Sequence, residues 1–248
     1  MDFHCHLDLY PGAMEVSREA SRRNEFTWLV TTSPRAYEAT SKVLGRLPRV
    51  LITPGLHPEL VGERVGELTL LLEQMLHCRA VGEVGIDGTY RFKPTLIDQR
   101  RVFEAVVARS KELGGRVLSI HSRGAVKEVL PILLKHPGFG TAVLHWFSGT
   151  ASEMATAYRM GCWFSVGPAA FASAAGRSLM TKLPRDRVLP ETDGPFAASD
   201  GVPLPPWSME KTAALFSPIW GCSAGEAQAI LVSNGRRLLA IMGRQGAT

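Results

Sequence analysis

Short apolar runs alternate with segments whose apolar residues recur at helical spacing along nearly the whole chain. Strand-like runs at 2–6, 26–32, 49–55 and 80–84 are separated by helical patterns near 13–24, 34–47 and 63–77, and a long helix is expected near 94–113. In that helix Leu96, Phe103, Val106, Val107 and Leu113 fall on one face, and Gly114-Gly115 closes it. Ser33 suits an N-cap and Pro34 the first helical turn after it. The second half repeats the rhythm, with strands at 117–121, 142–145, 162–166 and 188–192 and helices near 125–135, 152–160, 169–182 and 224–242. The proline-rich stretch 202–207 reads as a long final strand-to-helix loop rather than a domain boundary.

Eight strand–helix units in 248 residues predict an α/β fold, a single (β/α)8 TIM barrel spanning residues 1–248. An open doubly wound sheet fits less well. It uses fewer strands and a glycine-rich phosphate turn, and neither G-x-G-x-x-G nor G-x-x-x-x-G-K-[ST] occurs.

Composition narrows the class further. Hydrophobic residues make up 45% and charged ones 21%, enough for a substantial core and too apolar for a disordered tail. Twenty-eight Lys+Arg against 23 Asp+Glu give a net charge of +5, which suits an anionic partner, but no basic block marks a nucleic-acid arm. Cys5, Cys78, Cys162 and Cys222 lie far apart with no C-x-x-C pair, which argues against a disulfide framework. No apolar run reaches the roughly 18 residues of a membrane span, and no leader-like stretch precedes His4, so a cytoplasmic protein with no membrane partner is expected.

Chemistry-bearing residues punctuate the strand pattern at its C-terminal ends. His4 and His6 lie two residues apart, so they share one strand face and can point at one metal ion, while Cys5 turns into the wall between strand and helix. Glu83 follows the run 79–82, His121 ends 116–120, His145 ends 141–144, and Asp193 follows 187–192. A barrel of parallel strands keeps its chemistry at those ends. His77 and His136, on helical segments, read as surface residues. His57, in Pro54-Gly55-Leu56-His57-Pro58, reads either as part of a structural turn or as a phosphate-contacting group. Arg123 is either a phosphate clamp or half of a salt bridge at a helix start. Trp146 and Phe147 either stack on a base or pack on the barrel, and Asp87 supports the rim by hydrogen bonds.

Six segments resemble, in order, the successive motifs of TatD-type metal-dependent deoxyribonucleases: residues 1–8, Pro54-Gly55-Leu56-His57-Pro58, Gly82-Glu83-Val84-Gly85-Ile86-Asp87, His121-Ser122-Arg123-Gly124-Ala125, His145-Trp146-Phe147-Ser148-Gly149 and Glu191-Thr192-Asp193-Gly194-Pro195-Phe196. They spread over nearly the whole chain. The resemblance implies a barrel of the metal-dependent hydrolase, or amidohydrolase-like, superfamily and a two-metal hydrolase acting on DNA. It implies His4, His6, Glu83 and Asp193 at one ion and Glu83, His121 and His145 around the second, with Glu83 bridging. A carboxylate can give one oxygen to each of two cations about 3.5–4 Å apart. Glu83 and Asp193 would be the catalytic carboxylates, Asp193 orienting or deprotonating the attacking water, and His57 and Arg123 would bind substrate. The implied cofactors are two divalent ions: magnesium, on which the family is described as dependent, or manganese or zinc, which imidazoles favour.

Within the family the finer match is to the TatD-like nuclease of the Qat anti-phage defence system, carried by Gly85-Ile86-Asp87-Gly88, by Cys162-Trp163-Phe164-Ser165-Val166-Gly167-Pro168 and by Asp193-Gly194-Pro195-Phe196. It implies antiviral defence beside the other Qat proteins. Gly88 departs from the family pattern by replacing an aromatic, and the chain has almost nothing before its first strand. Three functions therefore compete. The first is a DNase, expected to be an exonuclease on DNA ends or single strands because no long basic groove is encoded. The second is a hydrolase of a small amide, lactone or phosphoester, disfavoured because Glu83 stands where such enzymes carry a carboxylated lysine. The third is a binding subunit of a defence complex whose metal site is structural.

Overall fold

The computed structural model describes residues 1–199 and 201–244. Strands β1 (Asp2–Cys5), β2 (Thr27–Val30) and β3 (Val50–Thr53) form one parallel sheet. A second holds β4 (Ala80–Gly85), β5 (Arg116–His121), β6 (Gly140–His145), β7 (Trp163–Val166) and β8 (Val188–Pro190) in sequence order. The sheets meet at two seams. At one, the Thr31 amide donates to Gly82 O at 3.1 Å, the Glu83 amide donates back to Thr31 O at 3.1 Å, and the Gly82 amide donates to Pro54 O at 2.9 Å. At the other, the Asp193 amide donates to His4 O at 2.9 Å and the His6 amide to Gly194 O at 2.8 Å. Joined at both seams, the strands close into the expected barrel, which leaves its sheet without a free edge.

Helices wrap the strands: α1 (Ala13–Arg23), α2 (Pro34–Leu44), α3 (Val61–Arg64), α4 (Leu68–Gln74), α5 (Leu96–Glu112), α6 (Val126–Lys135), α7 (Ala151–Arg159), α8 (Ala174–Met180), α9 (Met209–Trp220) and α10 (Ala224–Arg244). Ser33 caps α2 as expected, its Oγ accepting from the Ala36 amide at 3.2 Å with Pro34 in the first turn. Three details correct the sequence reading. The helix expected over 63–77 is broken into α3, a 3-10 turn around Gly66, α4 and a second 3-10 turn, because glycine weakens a helix interior. The one expected over 169–182 begins as a 3-10 turn behind Pro168 and becomes α-helical only after its cap Ser173. The long final connection holds an unforeseen hairpin, β9 (Ala198–Ser199) with β10 (Val202–Pro203), and the whole of α9, whose last turn tolerates Pro218.

The period of two along the strands decides what fills the barrel. Val117, Ser119 and His121 share one face, as do Val143 and His145, Trp163 and Ser165, and Leu189 and Glu191. Val117, Val143, Trp163 and Leu189 join Phe3, Trp28 and Met242 in a dry cluster. The alternate residues Leu118, Ile120, Leu144, Phe164 and Val166 pack outward against Val102, Phe103 and Val106 of α5, Leu130 of α6 and Phe216 of α9. One end of the interior is therefore apolar, and the C-terminal end is free to carry polar groups. Cys5 lies in the wall, as its parity requires, buried with Leu7, Ala20, Leu29 and Leu44.

Asp2 stitches the seam between β8 and β1. Its buried carboxylate accepts from the His4 amide at 3.1 Å, the Thr192 amide at 3.1 Å and the Thr192 hydroxyl at 2.5 Å. Asp2→Ala strands those buried donors and is expected to destabilise the fold by about 3 kcal/mol, read as a lower urea midpoint at unchanged slope. An unshifted midpoint would show that the seam closes without it. A second expectation concerns the thiols. Burial pushes Cys162 up to about 12 and Cys5 well above the ordinary thiol range. At about pH 8 a disulfide reagent should label half-buried Cys222 in the native protein and leave Cys5 and Cys162 unmodified until denaturant is added. The folded state holds the Cys162 proton more tightly than an unfolded thiol near 8.5, so its contribution to stability is complete below about pH 8.5 and is lost as pH rises toward 12.

Candidate metal centre

Strand β4 delivers Glu83 to the inner face, and Gly55 makes room for it: a Cβ at Gly55 would lie 2.4 Å from Glu83 N. Five imidazoles surround the buried carboxylate, divided between its oxygens. Oε2 lies 3.3 Å from His4 Nε2 and 3.2 Å from His6 Nε2. Oε1 lies 2.9 Å from His121 Nδ1, 3.1 Å from His57 Nε2 and 3.5 Å from His145 Nε2. Asp193 completes the Oε2 side, its Oδ1 standing 3.7 Å from both His4 Nε2 and His6 Nε2. Asp193 (φ 50°) and Trp146 (φ 39°) both adopt left-handed backbone just beyond their strands. Aspartate tolerates that region better than most residues, whereas Trp146 is held there by donating its amide to Ser165 O at 3.1 Å and Glu191 Oε1 at 3.0 Å.

The outer nitrogen of His4, His57, His121 and His145 is anchored, which sets what the inner one offers, whereas His6 Nδ1 makes no hydrogen bond among the described residues. His121 Nε2 lies 2.8 Å from Asp87 Oδ2 and His145 Nδ1 lies 3.3 Å from Glu191 Oε2, so both donate to carboxylates and turn their other nitrogen to Glu83. His4 Nδ1 meets Ser119 Oγ at 2.7 Å, and its buried Nε2 makes no hydrogen bond. His57 differs. Its Nδ1 accepts from the Glu59 amide at 3.2 Å, so its Nε2 carries the proton and donates toward Glu83. A lone pair on His121 Nδ1 facing a carboxylate oxygen at 2.9 Å requires a proton or a cation between them.

Charge leads to the same requirement. Glu83, Asp193, Glu191 and Asp87 are all buried, and no lysine or arginine pairs with any of them among the described residues. Burial alone would raise the Glu83 carboxyl, yet His57, His4, His145 and the His121 hydrogen bond hold it well below the carboxylate range. Burial likewise opposes a charge on His145, but Glu191, Glu83 and Asp193 push it up to about 10. His4 falls to about 3 through burial and the neighbouring His145. Asp193 is pushed up to about 7 by burial, against the pull of His145 and His6. Donors sharing one cation at bonds of about 2.0–2.2 Å lie roughly 3–3.6 Å apart, so the spacings of His4, His6 and Glu83 fit such an ion, and the mixed nitrogen and oxygen set suits a divalent one.

The carboxylates and rings open into a cavity of about 460 Å³, also lined by Arg123, Trp146, Ser148 and Phe196. All six residues read from sequence as ligands converge here, and His57 joins them rather than only shaping a turn. Arg123 is exposed at the rim and makes no salt bridge among the described residues. Trp146 lines the cavity while packing in part against the core, whereas Phe147 is buried edge-on against Phe164 as the packing reading expects. Asp87 supports the rim through His121 and Thr89. His77 is exposed, and His136 is half-buried against Glu104 at 3.2 Å. The sequence reading missed Glu191. Two residues before Asp193 on a strand already marked as a ligand carrier, it shares the inward face with Leu189, and that parity was the available signal.

The family model described as TatD related DNase matches residues 1–240. The 3'-5' ssDNA/RNA exonuclease TatD of Erwinia tasmaniensis is 31% identical over 75% of this chain and 76% of its own. Mouse TATDN3 is 27% identical over 96% of this chain and 87% of its own. The crystal structure of YJJV, a TatD homologue from Escherichia coli K12, superposes with a TM-score of 0.81 over 94% of this chain and 95% of that one, at 23% identity, and so shares the fold. With a barrel of that shape and a donor set suited to divalent cations at its mouth, the chain belongs to the family of TatD-related DNases, metal-dependent hydrolases.

Proposed function

We propose that the chain hydrolyses DNA phosphodiester bonds with two divalent cations, working as an exonuclease on ends or single-stranded segments. The observation that carries this reading is the division of Glu83: Oε2 faces His4 and His6, with Asp193 beside them, and Oε1 faces His121 and His145. His4, His6, Asp193 and Oε2 would hold one ion, and Oε1, His121 and His145 the other. Bound there, divalent cations offset phosphodiester charge and make water acidic enough to attack near neutral pH. Asp193, beside His4 and His6 at the mouth of the cavity, is placed to take the proton of the attacking water. The exposed fork of Arg123, and His57 by turning from Glu83 the Nε2 proton it donates there, would hold phosphate oxygens. Asp87, Glu191 and Ser119 keep the imidazoles turned inward.

A cavity of about 460 Å³ has the size of a small-molecule pocket, which supports engagement of a strand end rather than a grip on extended duplex. The name of the Erwinia relative supports the same substrate class. We further propose one catalytic domain over residues 1–248, acting in the cytoplasm. No helix among the described residues is long and apolar enough to cross a membrane. A place in anti-phage defence beside Qat proteins rests on the Gly85–Gly88 and Cys162–Pro168 motifs.

Three outcomes test the reading. Glu83→Gln should lower metal-dependent release of nucleotides from an end-labelled single strand by more than about 10³-fold while circular dichroism stays native. Removing bound metal with a chelator should abolish release, and adding back magnesium, manganese or zinc one at a time should restore it. Glu191→Gln, which loosens His145 together with the Trp146 and Ser165 contacts to the same carboxylate, should cost a smaller factor of about 10–100. Undiminished nuclease activity in Glu83→Gln would remove the shared role of that carboxylate. Turnover of an amide or lactone without turnover of DNA would replace the nuclease reading.

A further inference from the structure

Beyond Asp87, the loop between β4 and α5 leaves the barrel and carries a group of side chains that neither the core nor the metal centre uses. Tyr90 is 86% exposed, more than any other large apolar side chain among the described residues. Arg91 and Lys93 flank it, both exposed. The Lys93 ammonium stands 5.6 Å from the Tyr90 ring centroid and the Arg91 guanidinium 5.1 Å from that of Phe92. Among the described residues neither cation makes a salt bridge, nor does Arg123, although the surface helices pair their cations freely, as in Arg100 with Glu128 and Arg109 with Glu112.

This loop is tied to the site and to Arg123. Asp87 Oδ1 accepts from the Thr89 amide at 2.8 Å while its Oδ2 receives His121, and the Gly88 amide donates to Arg123 O at 2.8 Å. A Cβ at Gly88 would lie 2.2 Å from Gly124 O, so glycine at that position lets the loop lie against the segment that carries Arg123. Tyr90 is three residues from Asp87, at most about 11 Å of extended chain, or about three nucleotides at the rise of one strand.

Resting on the nuclease reading, we infer that Tyr90, Arg91, Lys93 and Arg123 form a loading platform for single-stranded nucleic acid, Tyr90 stacking on a base and the three cations holding the phosphates that lead into the cavity. An exposed aromatic face among uncompensated cations fits that polymer. The ring accepts any base, and the cations meet a backbone that carries a charge at every step.

The test separates binding from cleavage. Fluorescence anisotropy with a labelled oligothymidylate about twelve nucleotides long, in chelator so that nothing is cut, measures affinity for wild type, Tyr90→Ala, Tyr90→Phe and the double variant Arg91→Ala/Lys93→Ala. Tyr90→Ala should weaken binding roughly tenfold, with Tyr90→Phe restoring it, and the double variant should reduce the salt slope of log K by about 1.4. With metal present, the same variants should raise KM for the long oligonucleotide and leave kcat, and turnover of bis-p-nitrophenyl phosphate, unchanged. Wild-type affinity and salt slope in all variants would overturn the platform while leaving the nuclease reading intact. Platform-dependent binding without cleavage of any strand by the metal-loaded protein would support the platform and overturn the nuclease reading.

Discussion

The structure is organised around one carboxylate that is buried and cannot be left alone. Glu83 sits inside a barrel with no lysine or arginine to compensate it among the described residues, and an isolated ionised carboxylate in such surroundings is strongly disfavoured. Five imidazoles answer it, and each is itself restrained by a hydroxyl, a carboxylate or a backbone amide, apart from His6, whose Nδ1 makes no hydrogen bond. Removing one group changes the charge balance of all the others. Four acids crowd one mouth with no lysine or arginine paired to them among the described residues, and the donor spacings suit cations that would offset them.

The barrel makes this arrangement affordable by sorting its interior along the strands. Alternate positions of β5 to β8 read apolar near the N-terminal end and polar near the other, so the dry cluster of Val117, Val143, Trp163 and Leu189 lies beneath Ser119, His121, His145, Ser165 and Glu191. The serines occupy the middle of the sequence of layers, and both orient groups above them: Ser119 meets His4, and Ser165 donates to Glu191. Closure at the β8–β1 seam fixes the geometry, because the Asp193 amide bonds to His4 O and so sets the distance between two prospective ligands from opposite ends of the chain.

Much of this was legible in the sequence. Period-two spacing places His4 and His6 on one face and Cys5 in the wall, and strand-end positions gather Glu83, His121, His145 and Asp193, because these features depend only on local geometry. His57 stayed ambiguous because the turn residues around it explain its motif without reference to its ring, and only the Glu59 amide on Nδ1 reveals which nitrogen holds the proton. Glu191 escaped because its partner, His145, lies 46 positions away and no spacing in the chain announces that contact. The unforeseen α9 follows a proline-rich stretch and carries Pro218 in its last turn, both local signals against a helix. Burial of Thr212, Ala213 and Phe216 against the barrel outweighs them.

The charge pattern also limits what approaches. A polyanion drawn toward the mouth meets buried carboxylates, whose repulsion in a low-dielectric interior exceeds anything a net charge of +5 spread over the surface supplies. Attraction must therefore come from close by: cations within the donor set, and side chains at the rim that spend no charge on carboxylates of their own. Arg123 meets that condition, because its helix-start position offers no acidic partner among the described residues and its backbone is fixed by the Gly88 amide. Gly88 thus shapes the rim by leaving out a side chain. A bulkier residue there would displace the 123–125 segment and, with it, the Arg123 cation that lines the cavity.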